Sequence, residues 1–355
     1  MKIRNANPLA LATHEVTTWA AMQCANPALD SPFLRPEFTQ AVAEVREDVE
    51  VAVLENQQQP IGFFPYQRKR RVGRPVAGRL SDFQAMIAHP GFRYEPAEVV
   101  RACRLSAWHF DHLLVENGAY SPFVWRGAES PFIDLSAGFD GYMQARENGR
   151  SLRSEYGQRK RKIEREVGPL RLELDTRDLG VIATCFRWKE QQYLRTNAPN
   201  LFAYNWVRDL FAVLLEHTCK EFGVMVSTLY AGSKIAAINF CLRSNHVLHS
   251  WFPAYNVELA QYSPGTLQWF ELIRALPALG IKRIDLGKGP EGFKRRFMSG
   301  ATQVCEGTVD LRFLPTLFRR VWQGTRDRIR YSRLYGPART PAALLYRYQS
   351  WRECQ

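Results

Sequence analysis

Apolar and polar positions along this 355-residue chain repeat at two different periods, and the changes of period mark out its elements. Phe38, Val42 and Val45 fall at helical spacing and predict a short helix over FTQAVAEVRE, after the turn-rich NPALDSPFLRPEF. Val49, Val51 and Val53 then alternate, an Asn-Gln-rich turn follows, and Ile61, Phe63 and Pro65 alternate again; this is the pattern of a hairpin. PAEVVRACRLSAW reads as a second helix and FDHLLVENG as a strand running into a turn.

Farther along the periods are cleaner. LGVIATCFRWKEQQYLR predicts a helix that packs through Ile182, Phe186, Tyr193 and Leu194 and keeps Lys189, Glu190 and Arg195 in solvent. Residues 205–221 form the clearest amphipathic helix, with Val207, Leu210, Leu214 and Cys219 near one face. FGVMVSTLYAGSKIAAINFCLRSNHVLHSWFPAYN predicts strands joined by tight turns at Gly232–Ser233 and Ser244–Asn245. A loop, YSPGT, leads into the helix LQWFELIRALPALG, closed by Gly280, and IKRIDLG returns as a short strand. The order is helix, hairpins, loop, helix, strand.

Between the halves lies GYMQARENGRSLRSEYGQRKRKIEREVG, which predicts a helix despite Gly149 and Gly157. Tyr142, Leu152, Tyr156 and Ile163 supply a packing stripe, and Arg146, Arg150, Arg153, Arg159, Lys160, Arg161, Lys162 and Arg165 make the segment strongly basic. Two readings stand: a solvated helix bridging the halves, or an anion-facing surface. Interleaved Glu155, Glu164 and Glu166 make it unlike a nucleic-acid tail.

Charge sharpens this picture. Lys and Arg number 48 against 35 Asp and Glu, a formal net charge of +13, which suits an anionic partner or substrate without naming one. Seven cysteines, with no C-x-x-C pair, argue against a disulfide framework or a structural zinc site. His246 and His249 are three apart on a strand, hence on opposite faces, and His109 and His112 have no evident third ligand, so no metal is expected. The N-terminus does not read as a signal peptide, and no stretch has the apolar length to cross a bilayer. The expected location is cytoplasmic; the Arg-rich, aromatic tail 315–355 reads first as a helix packed on the catalytic domain and, as the alternative, as a peripheral contact at the inner membrane.

Candidate chemistry gathers in two loops. In Tyr262-Ser263-Pro264-Gly265-Thr266 a glycine turn opens a helix whose free N–H groups suit a phosphate; as a bare motif it reads first as a capping turn. In DLGKGPEGFKRRFMSG, Asp285 sits at a strand exit and Lys294 follows three glycines. Asp285 could take a proton and Lys294 neutralise an oxyanion or phosphate; the plainer alternative is a turn cap and a solvated basic patch. There is no P-loop or Rossmann glycine signature.

Gly232, the run Ile235 to Asn239, Trp251 to Tyr255, Tyr262-Ser263-Pro264-Gly265, then Gly280, Asp285, Gly289, Glu291 and Phe293-Lys294 together resemble the CelD-like (cellulose-biosynthesis) acetyltransferases. That family lies in the GNAT superfamily and is related to the FemAB-type aminoacyl transferases. SPFLRPEF and LSDFQAMIA resemble its first half. The resemblance implies an α/β (α+β) fold of tandem GNAT-like domains, each a central mixed sheet flanked by helices. The expected spans are 1–145, a basic connecting helix 146–170, an acyl-donor domain 171–314 and the tail 315–355.

It further implies acetyl-CoA or another acyl-CoA as co-substrate. Ser263, Gly265 and Thr266 would face its pyrophosphate, and Ile238, Asn239, Phe240, Cys241 and Leu242 its pantetheine arm. Phe293 stands where the family has tyrosine, so Tyr255 and Tyr262 become the candidates for protonating the thiolate. Asp285 is the expected base, and Lys294 the expected oxyanion partner. The implied reaction is acetyl transfer to a small-molecule or glycan acceptor, in exopolysaccharide or cellulose production, with polysaccharide-synthesis machinery as partner. The alternatives are FemAB-like transfer from aminoacyl-tRNA, the one route by which nucleic acid would take part, and a non-catalytic regulatory binding protein.

Overall fold

The computed structural model describes residues 1–114, 118–289 and 292–312. In chain order the strands are β1 (Lys2–Ala6), β2 (Val49–Asn56), β3 (Gln59–Lys69), β4 (Val72–Arg74), β5 (Ile87–Ala88), β6 (Ala107–Leu114), β7 (Val124–Asp134), β8 (Leu170–Glu173), β9 (Gly223–Ala231), β10 (Lys234–Arg243), β11 (Val247–Tyr255), β12 (Arg283–Asp285) and β13 (Gly300–Asp310). The helices are α1 (Thr13–Ala25), α2 (Pro36–Val45), α3 (Pro96–Ala102), α4 (Gly138–Gln144), α5 (Gly149–Glu166), α6 (Leu179–Thr196), α7 (Asn205–Glu216), α8 (Pro264–Ala275) and α9 (Phe293–Phe297).

All these strands belong to one mixed sheet, ordered β1-β2-β3-β4-β6-β13-β7-β12-β11-β10-β9-β8, with β5 on β3. The order reads alike from either edge. Each side begins as an antiparallel run and then makes one parallel pair, β4 with β6 and β11 with β12. The strand that follows in each side crosses over: β7 pairs with β12, and β13 lies between β6 and β7. The sheet therefore has no break at residue 145, and the expected two-domain division is not marked by a gap in it. Strand exchange is the reason.

The apolar layers follow the same logic. One cluster draws on both sides of the seam, joining Trp19, Phe38 and Phe63 to Phe211, Phe240 and Phe252 beneath α1, α2, α6 and α7. Trp251 is its bridge, with Phe38 and Phe211 at ring-centroid distances of 6.2 and 5.3 Å. Tyr142, Leu152, Tyr156 and Ile163 are buried as their stripe requires, in a second cluster with Trp269, Phe270 and Leu272 of α8. Their segment is broken into α4 and α5, and Tyr156 stacks on Phe270 at 3.9 Å. One face of α5 is thus packed, while Arg150, Arg153, Arg161, Lys162 and Arg165 on its other face are exposed.

Three local expectations change. The helix read over 205–221 stops at Glu216, because the His217 N–H closes on Val213 and the Cys219 N–H turns to Phe222. Cys219 is consequently exposed. On α6 the buried stripe is Val181, Ile182, Cys185 and Lys189, while Leu194 is 75% exposed. The tail 315–355 and Glu291 lie outside the described residues.

Candidate functional site

The parallel pair β11 and β12 lasts three residues, from Val247 beside Arg283 to His249 beside Asp285. After Asp285 the chain stays on β7: the Leu286 N–H donates to the Pro131 carbonyl (2.9 Å) and the Gly289 N–H to that of Glu129 (2.8 Å). Strand β11 instead continues to Tyr255 on β10. The two chains diverge from this point, and a sheet that opens there exposes unpaired backbone to a ligand.

Charged side chains from both sides of the seam converge at the apex. Asp82, in the loop before β5, accepts from His249 Nε2 at 2.8 Å, and its other oxygen lies 3.4 Å from His112 Nε2 on β6. Gly287 has φ of +75°, and a Cβ there would stand 2.9 Å from Asp82 Oδ2, so glycine is what lets this strand end approach the carboxylate. Lys294, from α9, donates to the carbonyls of Gly287 (3.1 Å) and Lys288 (2.9 Å). Burial would push the Asp82 carboxyl up, but the His249 hydrogen bond and the charges of His249, His112 and Lys294 outweigh it and hold the group at about 2. His112 moves the other way: burial lowers it, and Asp111 and Asp82 more than offset that and raise it. The apex therefore carries a fixed negative charge among basic side chains.

One more cation lies close enough to this apex for the Lys294 charge to act on it. Lys189 follows Cys185 by four residues on the face of α6 that packs against β11, where the Cys185 thiol meets the Phe252 carbonyl at 3.5 Å. It is 8% exposed, where solvent was expected. Burial and the neighbouring Lys294 charge push its ammonium down to about 8. Tyr193, a further turn along, is raised to about 12 by burial, by Cys185 and by the Asp82 charge.

A second feature lies at the start of α8. Ser263 takes a left-handed turn (φ 53°), so its side chain does not cap the helix, and Arg159 of α5 donates to its hydroxyl instead. Lys162 lies 5.5 Å from the Tyr262 ring centroid, and the Tyr262 hydroxyl bonds Glu166 at 3.0 Å. A Cβ on Gly265 would meet nothing within 4 Å. The Gly265 N–H, Arg159 and open space at Gly265 make a setting that fits a phosphate. Thr266 is half-buried in the same turn.

Other expected site residues fall elsewhere. Ile238, Asn239, Phe240, Cys241 and Leu242 lie in β10, laddered to β9 on one side and β11 on the other, so their backbone has no edge left for a pantetheine arm. Cys241 is fully buried, and burial raises its thiol far above the usual range. Asp285 is 1% exposed and faces its own neighbour Arg283, Nε to Oδ1 being 3.0 Å. Burial raises its carboxyl, yet a group so enclosed is at odds with taking a proton from an outside acceptor. Tyr255 lies six residues beyond His249 on β11, about 20 Å away at some 3.3 Å per residue. Tyr262 belongs to the α8 turn. Lys294 alone of the four catalytic candidates stands beside Asp82.

Asp82, His112, His249 and Lys189 were not read as site residues from the sequence. The one signal was LSDF: a buried-looking run interrupted by an acid. Among the described residues there is no group of three or more His, Cys, Asp or Glu placed to hold a metal, and no helix long and apolar enough to cross a membrane.

The comparisons bear on the fold. A family model described as an acetyltransferase (GNAT) domain matches residues 150–295. The crystal structure of FemX is similar over 90% of this chain and 100% of its own, with a TM-score of 0.58 at 9% identity. A conserved protein of unknown function from Bacteroides thetaiotaomicron VPI-5482 gives 0.52 at 11% identity, over 87% of this chain and 100% of its own. A tandem GNAT protein from the clavulanic acid biosynthesis pathway gives 0.48 at 9% identity, over 88% and 99%. No curated protein matches the chain. The narrower CelD-like family does not appear among these matches. The domain match marks the chain as an enzyme of the GNAT acyltransferase type, and such a domain implies a general role in binding acyl-CoA.

Proposed function

We propose that the protein passes an acyl group from an activated donor to the amine of a small acceptor, on the plan of the FemAB-type transferases rather than as a sugar acetyltransferase. The carrying observation is that residues of the two sides meet at one centre: Asp82 and His112 from the first, His249 and Lys294 from the second. The mirrored sheet order and the whole-chain likeness to the FemX structure support reading the sides as two GNAT-like halves with exchanged last strands. In that reading 1–145 and 171–314 are the halves and 146–170 connects them.

The acceptor nitrogen attacks the donor's carbonyl carbon. The bond to nitrogen forms as the bond to the donor's oxygen or sulfur breaks, and the amine's proton ends on the leaving group. Lys294, fixed by two carbonyls, stabilises the oxyanion. Asp82, ionised throughout the physiological range, is too weak a base to take the proton; it keeps Lys294 and His249 in place. A glycan acceptor, cellulose or exopolysaccharide production and polysaccharide-synthesis machinery rest on the motif resemblance alone.

A second reading takes acetyl-CoA as the donor. It is favoured by the acetyltransferase-domain match and by the start of α8, where Ser263, Gly265, Thr266 and Arg159 fit a pyrophosphate. Labelled acetyl-CoA and labelled aminoacyl-tRNA, each offered with a panel of amines, separate the two. Transfer from aminoacyl-tRNA alone supports the FemAB plan, and transfer from acetyl-CoA alone supports the second reading. Binding without turnover of either overturns both in favour of a non-catalytic role.

A further inference from the structure

Lys189 is a buried cation without a counter-ion among the described residues. Among the described residues its one hydrogen bond is to Gln192 Oε1 (3.1 Å), and its other close polar neighbour is the face of Tyr193, 5.5 Å to the ring centroid. No carboxylate pairs with it. A buried ammonium is costly to leave unpaired, and a neutral amide and a ring face only partly offset that cost. Its neighbourhood is populated: Cys185 and Tyr193 share its helix face, Lys294 of α9 is close enough to repel it, and Asp82 acts on Tyr193. Lys294 is held by Gly287 and Lys288, so Lys189 is the cation whose environment is incomplete. A ligand entering the apex would supply what is missing.

We infer that Lys189 forms an anion-binding subsite beside the Asp82–Lys294 centre, and that the acceptor amine carries a carboxylate or phosphate which pairs with it. The inference rests on the acyl-transfer reading and adds the chemical class of the acceptor. It also gives the acceptor an orientation, with its negative group at α6 and its amine toward Lys294.

The test uses the full chain, with acetate and inorganic phosphate as probes. The Lys189 ammonium is followed by NMR of 13C-labelled lysine and assigned by its absence from Lys189→Met. The expected result is that either anion raises the Lys189 titration midpoint by a unit or more, and that Lys189→Met weakens anion binding at least tenfold while Lys189→Arg retains it. Amine acceptors paired as carboxylate and carboxamide are then compared, the carboxylate member being favoured at least tenfold in kcat/KM and the preference vanishing in Lys189→Met. An unmoved Lys189 titration, equal anion binding by Lys189→Met, or equal use of the paired acceptors overturns the inference while leaving acyl transfer intact. Anion binding that requires Lys189, in a protein that acylates no amine from either donor, overturns the function and the acceptor assignment together but leaves the anion subsite standing.

Discussion

At the scale of single residues, the apex is a set of groups moved from their ordinary titration ranges in opposite directions. Lys294→Met removes the cation expected to meet the oxyanion, and should lower kcat by about a hundredfold to a thousandfold with an unchanged circular dichroism spectrum. Retained activity would remove Lys294 from the reaction. Asp82 contributes stability that is fully present above its unfolded value of 3.8 and is lost as pH falls through about 2. That shift corresponds to about 2 kcal/mol, so the acid limb of denaturation between pH 4 and 2 should be shallower in Asp82→Asn. Lys189 has the opposite sign. Its folded value of about 8 lies below 10.5, so burial of the charge disfavours folding fully below pH 8, and the effect fades as pH rises to 10.5. Lys189→Met should be more stable than the parent at pH 7, by up to about 3 kcal/mol, and should lose the parent's gain in stability between pH 8 and 10.5. Chemical denaturation at three pH values checks both parts.

At the scale of elements, α5 and α8 act as a pair. Tyr156 on Phe270 fixes their packing, and Arg159 is thereby delivered to Ser263. Neither helix alone would make that setting. Because nothing lies within 4 Å of a Cβ at Gly265, Gly265→Leu should fold with an unchanged melting temperature. It should nevertheless weaken acetyl-CoA binding at least tenfold by calorimetry if the coenzyme lies across this turn. Equal affinity would move the donor elsewhere. The sequence carried the α8 segment, closed by Gly280, and a helix over the basic segment whose stripe of Tyr142, Leu152, Tyr156 and Ile163 is imperfectly spaced because it spans the break between α4 and α5. It did not carry their contact, because which helix faces which is set by the sheet between them.

Over the whole molecule, the decisive feature is the exchange of β7 and β13. Strand β13 is laddered to β6 on one side and β7 on the other, so it fastens the two sides together at their seam. A chain ended at Ser299 would leave the facing edges of β6 and β7 unpaired, and should be insoluble or open to proteolysis at the seam. Residues 1–145 and 146–312 expressed separately should likewise fail to give soluble, cooperatively folding proteins, because the Trp251 bridge and the Asp82–His249 bond each join one half to the other. Soluble, cooperative halves would show instead that the division at 145 is a true domain boundary.

The sequence by itself determined the local elements. Alternation fixed the β2–β3 hairpin and the β9 to β11 run, helical spacing fixed α2, α5 and α8, and the glycines marked the loops around Lys294. It also supplied the basic charge and the phosphate-suited turn at α8, since a helix start and its turn residues are properties of a few neighbouring positions. The candidate centre was decided only by tertiary structure. Asp82 and His249 are 167 residues apart, and Lys189 sits where helical periodicity alone assigned it to solvent. Periodicity reports that a residue lies on a face, but not what the other elements bring against that face. Packing of α6 on β10 and β11 buries the lysine, and the meeting of the two sides at the seam puts an unremarked aspartate in the middle of the candidate site.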